Sequence, residues 1–187
     1  MNLNNIYYFL RHADTDRSQD IHFSEHPLSS LGHSQARATS SQLIDLDIDM
    51  IYCSPFARAK QTVGPYAKER GVDPIVADEL CGRIIKNLPR EKTWEFFKQS
   101  WLDFNYTEYG AETAQECIDR VSSLFSKLDK QHSGKRILLV SHSNPISLFL
   151  STIDKTIGYE WFKNMKSPSL FELNSSNSTL SYTEIEL

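Results

Sequence analysis

Three short apolar runs in this chain each end in residues able to bind or attack a phosphoryl group. Residues 6–10 (IYYFL) lead into Arg11-His12, residues 49–53 (DMIYC) into Ser54-Pro55 with Arg58 just beyond, and residues 137–140 (ILLV) into Ser141-His142. An arginine presents a planar fork of donors, so Arg11 and Arg58 together can hold the non-bridging oxygens of a phosphoryl group bidentately, with a geometry lysine cannot copy. A neutral imidazole is a competent nucleophile near pH 7, its ordinary pKa being about 6.5. His12 and His142 facing each other across a phosphate would divide the work. One attacks, and the other, if protonated, offsets the charge developing on the equatorial oxygens. Taken singly, each residue has an ordinary structural explanation: a strand-end Arg-His pair, a hydrogen-bonded strand-end histidine, an exposed helical arginine. Their shared place at strand ends and a helix start is what joins them.

The elements that must position them alternate between strand and helix. Residues 6–10, 49–53, 74–77 and 137–140 read as buried strands, with two more expected near 169–173 and 179–184 and the polar SSNS between those as a hairpin turn. Helices are expected over 31–43, with Ser29 or Ser30 as its cap, over 54–70, opened by Ser54-Pro55 and stopped by Gly71, and over 112–131, where Ile118, Val121, Leu124, Phe125 and Leu128 share a face. Ser143-Asn144-Pro145 resembles another helix start. Trp94, Phe97, Trp101 and Phe104 recur at helical spacing inside a less regular stretch, 78–111, and read as core packing or as a lid. This alternation predicts an α/β fold. It would be a single-domain three-layer α/β/α sandwich over 1–187, with a mostly parallel central sheet, helices on both faces, and a lid-like segment at about 78–111. In such sheets ligands bind beyond the C-terminal strand ends, which is where the Arg and His residues fall.

Length and composition agree with that architecture. A chain of 187 residues with 40% hydrophobic and 24% charged residues suits one soluble domain. A net charge of −4 argues against a nucleic-acid surface, which needs a basic excess. Cys53, Cys81 and Cys117 are odd in number and lack CxxC spacing, pointing to a reducing, cytoplasmic setting rather than a disulfide scaffold or zinc ribbon. The N-terminus has no basic n-region, and no apolar run reaches the length of a membrane span.

Five segments together resemble the histidine phosphatase (phosphoglycerate mutase-like) superfamily. Arg11-His12-Ala13-Asp14-Thr15 is similar to its RHG-x-T signature, with alanine for glycine. Residues 27–36 (PLSSLGHSQA) resemble L-[ST]-x-x-G-x-x-Q-A, and residues 54–62 (SPFARAKQT) resemble S-x-x-x-R-A-x-x-T. Residues 110–113 (GAET) followed by Arg120-Val121 resemble G-x-E-[ST] with its later R-V. Val140-Ser141-His142-Ser143 is similar to V-[ST]-H-G, with serine for glycine. The resemblance implies a metal-independent phosphomonoester hydrolase of the histidine acid phosphatase type, with no cofactor. His12 would carry a phosphohistidine intermediate, Arg11, Arg58 and His142 would complete the phosphate pocket, and the substrate would be a phosphorylated small molecule or phosphoprotein. Asp14 and Thr15 would contact phosphate or simply shape the turn. Two alternatives stand beside it: a mutase-like phosphotransferase, and a weakly catalytic phosphate-binding regulatory module.

The proton donor is where the chain departs from the pattern. Many members carry an L-x-E glutamate after the third strand, but here Leu80-Cys81-Gly82 ends in glycine. Glu79 is the expected substitute, with Asp78 and Glu112 behind it. Elsewhere, His22 and His26 with Arg17 are expected to line the loop beside the pocket, or simply to face water, rather than to hold a metal. Ser141 and Ser143 lack a nucleophile elbow. Cys81 is expected to be a buried thiol or a redox-sensitive one. Arg83, Lys86, Arg90 and Lys92 form a basic stretch that either greets an anionic substrate or faces water. Substrate identity and oligomeric state are not encoded legibly.

Overall fold

The computed structural model describes residues 5–176 and 179–187. Six strands form one sheet in the order β3-β2-β4-β1-β5-β6: β1 (Ile6–Arg11), β2 (Met50–Cys53), β3 (Ile75–Val76), β4 (Arg136–Ser141), β5 (Ser169–Ser176) and β6 (Thr179–Ile185). β3, β2, β4 and β1 run parallel, and β5 and β6 add an antiparallel pair beside β1. The two residues joining β5 to β6, part of the expected SSNS turn, lie outside the described residues.

Successive side chains of a strand point to opposite faces, and here both faces are covered. Tyr7, Phe9, Ile137 and Leu139 pack on one side against Val121, Leu124, Phe125 and Leu128 of α4 (Ala114–Gln131) and Ile146 and Phe149 of α5 (Ser143–Leu150). Tyr8, Leu10, Leu138 and Val140 pack on the other against Leu43 of α1 (Ser30–Leu43) and Ala59, Val63 and Tyr66 of α2 (Ala57–Arg70). Burial on both faces is why the central strands read as unbroken apolar runs rather than alternating ones. The result is the three-layer α/β/α sandwich expected. Among the described residues, no helix is long and apolar enough to cross a membrane.

Helix ends differ from expectation in instructive ways. Ser29 caps α1, its Oγ accepting from Gly32 N at 3.0 Å. Thr113 and Glu116 form a reciprocal capping box, so α4 begins after Glu112 rather than at it. Ser54 does not cap α2; the helix starts three residues later, and Ala57 N donates to Ser24 O at 3.0 Å. The Ser54 hydroxyl is taken by His142 instead. Within 78–111 the sequence pattern is half right. Residues Thr93–Leu102 form α3, but Phe96 is its buried aromatic while Trp94 is 51% exposed. Phe97 and Trp101 meet Phe162 of α6 (Tyr159–Asn164), a helix too short to betray itself by periodicity. β3 is only two residues long, and both are exposed.

Phe125 ties the larger core together. Its ring meets Tyr7 at 4.7 Å, Phe9 at 5.5 Å and Phe149 at 4.5 Å. Phe125→Ala removes an aromatic from a close-packed site and is expected to cost about 3–5 kcal/mol of stability, read as a lowered midpoint in urea denaturation.

Candidate active site

The parallel pairing of β1 with β4 sets Arg11 opposite Ser141, so the next residue of each strand, His12 and His142, leaves the sheet side by side. His12 N donates to Ser141 O at 3.1 Å, and the two imidazoles stand 5.0 Å apart between centroids. Both residues are about 95% buried.

The His12 ring is oriented from both ends. Nδ1 lies 2.7 Å from Ala13 O and donates to it, which leaves the lone pair on Nε2, where Arg58 Nε donates at 3.2 Å. Nε2, with its free lone pair, is therefore held against a guanidinium. Loss of solvation, Arg58, Arg11 and Arg17 push the imidazole well below its ordinary pKa, against the opposing pull of Ala13 O. His12 is neutral and competent at pH 7.

His142 is fixed by Ser54. The Ser54 hydroxyl accepts from Phe56 N at 3.3 Å and lies 2.8 Å from His142 Nε2, to which it can donate its own proton. The proton of a neutral ring is then on Nδ1, a buried donor without a partner among the described residues. Loss of solvation and the Arg58 charge hold this imidazole neutral too. The sequence reading made charge stabilisation by the second histidine conditional on its protonation; burial and nearby cations here favour the neutral ring.

Arg58 also donates from Nη1 to Phe23 O at 2.7 Å and lies over the Phe56 ring at 4.9 Å. Arg11 Nη1 donates to Met165 O and Lys166 O, while its Nε is a second buried donor without a partner. Both guanidiniums fall to about 10 through loss of solvation and the Arg17 charge, with Arg11 adding to the effect on Arg58 and Asp14 opposing it at Arg11, and both remain cationic at neutrality. Arg17, exposed on the following loop, adds a third positive charge felt by His12, Arg11 and Arg58. Positive charge and unpartnered donors converge around the His12 imidazole, the chemistry of a candidate anion site.

The surrounding motif residues hold this loop in place. Asp14 accepts from Ser29 Oγ at 2.5 Å, and its N–H donates to Gln35 Oε1 at 2.9 Å. Thr62 Oγ1 accepts from Ala13 N at 2.9 Å and donates to Arg58 O at 2.7 Å. Gln61 Oε1 receives Leu28 N at 2.7 Å. Gly32 is needed for close approach, since a Cβ there would stand 2.0 Å from Asp14 O. The two glycine replacements are harmless to the backbone, because neither Ala13 nor Ser143 has a positive φ.

The carboxylates are arranged differently from expectation. Glu112 forms a two-point ion pair with Arg120, at 2.7 Å and 3.0 Å, and accepts from Ile84 N at 3.0 Å. Glu79 makes no hydrogen bond or ion pair with His12, Arg11, Arg58 or His142, and its carbonyl accepts from Arg120. The residue of this loop set against the pocket is Gly82: a Cβ there would lie 3.6 Å from both Arg58 Nη2 and His142 Cγ, and 3.0 Å from the Phe56 ring. Asp78 is exposed.

The other candidates separate cleanly. His22 is exposed and bonded to Ser24 Oγ at 2.6 Å, and His26 is half-buried in the same loop. Ser141 donates to Leu80 O at 2.8 Å, unavailable as a nucleophile. All three cysteines are buried free thiols, and burial raises the Cys81 pKa, opposing redox reactivity. Of the basic stretch, Lys86, Arg90 and Lys92 are exposed. Arg83 is 5% exposed, giving Nε and Nη2 to Glu112 O and Nη1 to Asn144 Oδ1 at 3.2 Å.

Sequence reasoning missed Arg120 as an organiser. Besides Glu112, its guanidinium holds the carbonyls of Glu79, Cys81 and Gly82.

The fold and the sequence both have known counterparts. The model of the histidine phosphatase superfamily (branch 1) matches residues 7–183, and the chain belongs to that superfamily. A relative from Schizosaccharomyces pombe, named a probable phosphatase, is 23% identical over 95% of this chain and 87% of its own. The probable phosphoglycerate mutase GpmB of Enterobacter sp. is 30% identical over 78% of this chain and 73% of its own. Among solved structures, a mycobacterial glucosyl-3-phosphoglycerate phosphatase in complex with inorganic phosphate superposes with a TM-score of 0.76 at 21% identity, covering 97% of this chain and 95% of its own. Phosphatase activity is the general property these relatives support.

Two outcomes follow from the geometry. Because the folded environment lowers the His12 pKa, the neutral form persists as pH falls; in an NMR titration of the free protein its imidazole should remain unprotonated through pH of about 6.5, where an unperturbed histidine is half charged. Arg120→Met strands the Glu112 carboxylate and three loop carbonyls, and should cost about 3–5 kcal/mol in chemical denaturation.

Proposed function

We propose that this protein is a metal-independent phosphomonoester hydrolase working through a phosphohistidine on His12. The observation that carries the reading is the His12 imidazole, with Nδ1 committed to Ala13 O and Nε2 aimed at Arg58. In the first step Nε2 attacks phosphorus, a new N–P bond forms, and the ester P–O bond breaks with its electron pair going to the leaving group. Nδ1–H, held by Ala13 O, shares the positive charge that the ring acquires. Arg11, Arg58 and the Nδ1–H of His142 bind the three equatorial oxygens, supplying donors where charge develops. In the second step water attacks phosphorus, the N–P bond breaks back to neutral His12, and dihydrogen phosphate leaves.

The substrate is a phosphorylated small molecule or phosphoprotein, and the segment 78–111, bordering the pocket at Gly82, would select it. A cytoplasmic setting fits the three free thiols.

Phosphate release from p-nitrophenyl phosphate, with EDTA present, tests the reading. Turnover is expected in the wild type and should fall by at least about 10³-fold in His12→Ala, since the covalent route is removed. Quenching in alkaline denaturant during turnover should trap a phosphorylated protein whose label is kept in base but lost on acidification. Equal rates in wild type and variant would exclude His12 as nucleophile.

A further inference from the structure

The pocket gathers donors for a phosphoryl group, and among the described residues no carboxylate is ion-paired to them, although the Asp14 charge reaches Arg11. Around His12 and His142 the described side chains are Arg11, Arg58, Ser54, Thr15 and Phe56, and the nearest wall of the 78–82 loop is the bare backbone of Gly82. The nearby acidic side chains are otherwise engaged or directed. Glu112 is clamped by Arg120, and Asp14 accepts the Ser29 hydroxyl. Among the described residues, no ion pair joins any carboxylate to Arg11, Arg58, His12 or His142. The remaining proton-bearing groups are neutral imidazoles and guanidiniums, which are feeble acids at neutral pH.

Cleaving an ester of an ordinary alcohol demands a proton for the departing oxygen. An alkoxide has a basicity near that of hydroxide, whose parent water has a pKa of about 15.7. A carboxylate leaving group, with a parent pKa of about 4, departs as a stable anion. From this we infer that the substrate of this pocket is a phosphoryl group on a weakly basic leaving group, of the acyl phosphate or activated aryl phosphate kind, rather than an alkyl phosphate. The inference rests on the phosphatase reading above and narrows it. For an acyl phosphate, His12 Nε2 bonds to phosphorus, the P–O bond breaks, and the carboxylate leaves with the electron pair and takes no proton. Hydrolysis of the phosphohistidine then proceeds as before.

The test is the dependence of kcat/KM on leaving-group basicity, measured with acetyl phosphate, p-nitrophenyl phosphate, phenyl phosphate and an alkyl monophosphate, each beside His12→Ala. A positioned general acid contributes about 10²–10⁴-fold. The wild type should therefore lose at least about 10²-fold between p-nitrophenyl and alkyl phosphate beyond the loss shown by a relative having a glutamate at the Gly82 position. Gly82→Glu should raise the alkyl rate selectively. If that variant fails to fold around the Phe56 ring, the wild-type series decides alone. A shallow dependence with His12-dependent turnover of alkyl phosphates overturns this inference and leaves the phosphatase reading standing. Absence of His12-dependent turnover on acetyl phosphate and p-nitrophenyl phosphate overturns both.

Discussion

The register between β1 and β4 is the constraint on which the site depends. With Arg11 paired to Ser141, the residues after each strand become neighbours although 130 positions separate His12 from His142 in the chain. A slip of β1 by one residue would turn its side chains over, moving Tyr7 and Phe9 from the α4 face to the α2 face. The register is thus specified by the core itself. Two different apolar surfaces lie on the two faces, each complementary to its own helices, and the catalytic geometry follows from that packing without a separate device.

Electrostatics then turns a structural junction into a chemical one. Placing two imidazoles beside two guanidiniums, with the Arg17 charge nearby, would be unfavourable if all were charged. The burial that costs the histidines their protons also resolves the conflict, leaving neutral rings among cations. A phosphoryl dianion entering there would meet positive charge that, among the described residues, no carboxylate ion-pairs directly. Site strength and histidine neutrality therefore share one cause.

Much of this was legible in the chain. The unbroken apolar run at residues 137–140 marks a strand buried on both faces, and the heptad-like face of 118–128 marks the helix that covers it. Arg11, His12, Arg58 and His142 announce themselves because each follows an apolar run at a strand end. What stayed hidden has physical reasons. Ser54-Pro55 carries the local signals of a helix cap, yet the hydroxyl has a better partner in His142, which is far away in sequence. Arg120 looks like any helical surface arginine; only the path of the 79–82 loop gives it three carbonyls to hold. Within 78–111 helical spacing alone misleads, because Trp94, Phe97 and Trp101 meet Phe162 of α6 while Phe96 packs against Tyr106 and Tyr109 of its own segment. At Gly82 the reading from sequence turned on an absence, and geometry was needed to show what stands beside the phosphate ligands.

One feature near that loop bears on how such a pocket diversifies. Ile84 and Glu112 are bonded in both directions, Glu112 N to Ile84 O at 2.9 Å and Ile84 N to the Glu112 carboxylate, while Arg83 grips Glu112 O. The segment between them hangs from a closed neck. Closing entropy grows only logarithmically with loop length, so residues can be inserted or deleted beyond the neck at small thermodynamic cost, with the phosphoryl ligands undisturbed. The molecule is in this sense a fixed reaction chamber with an exchangeable antechamber, and its descendants can change what they admit without rebuilding how they react.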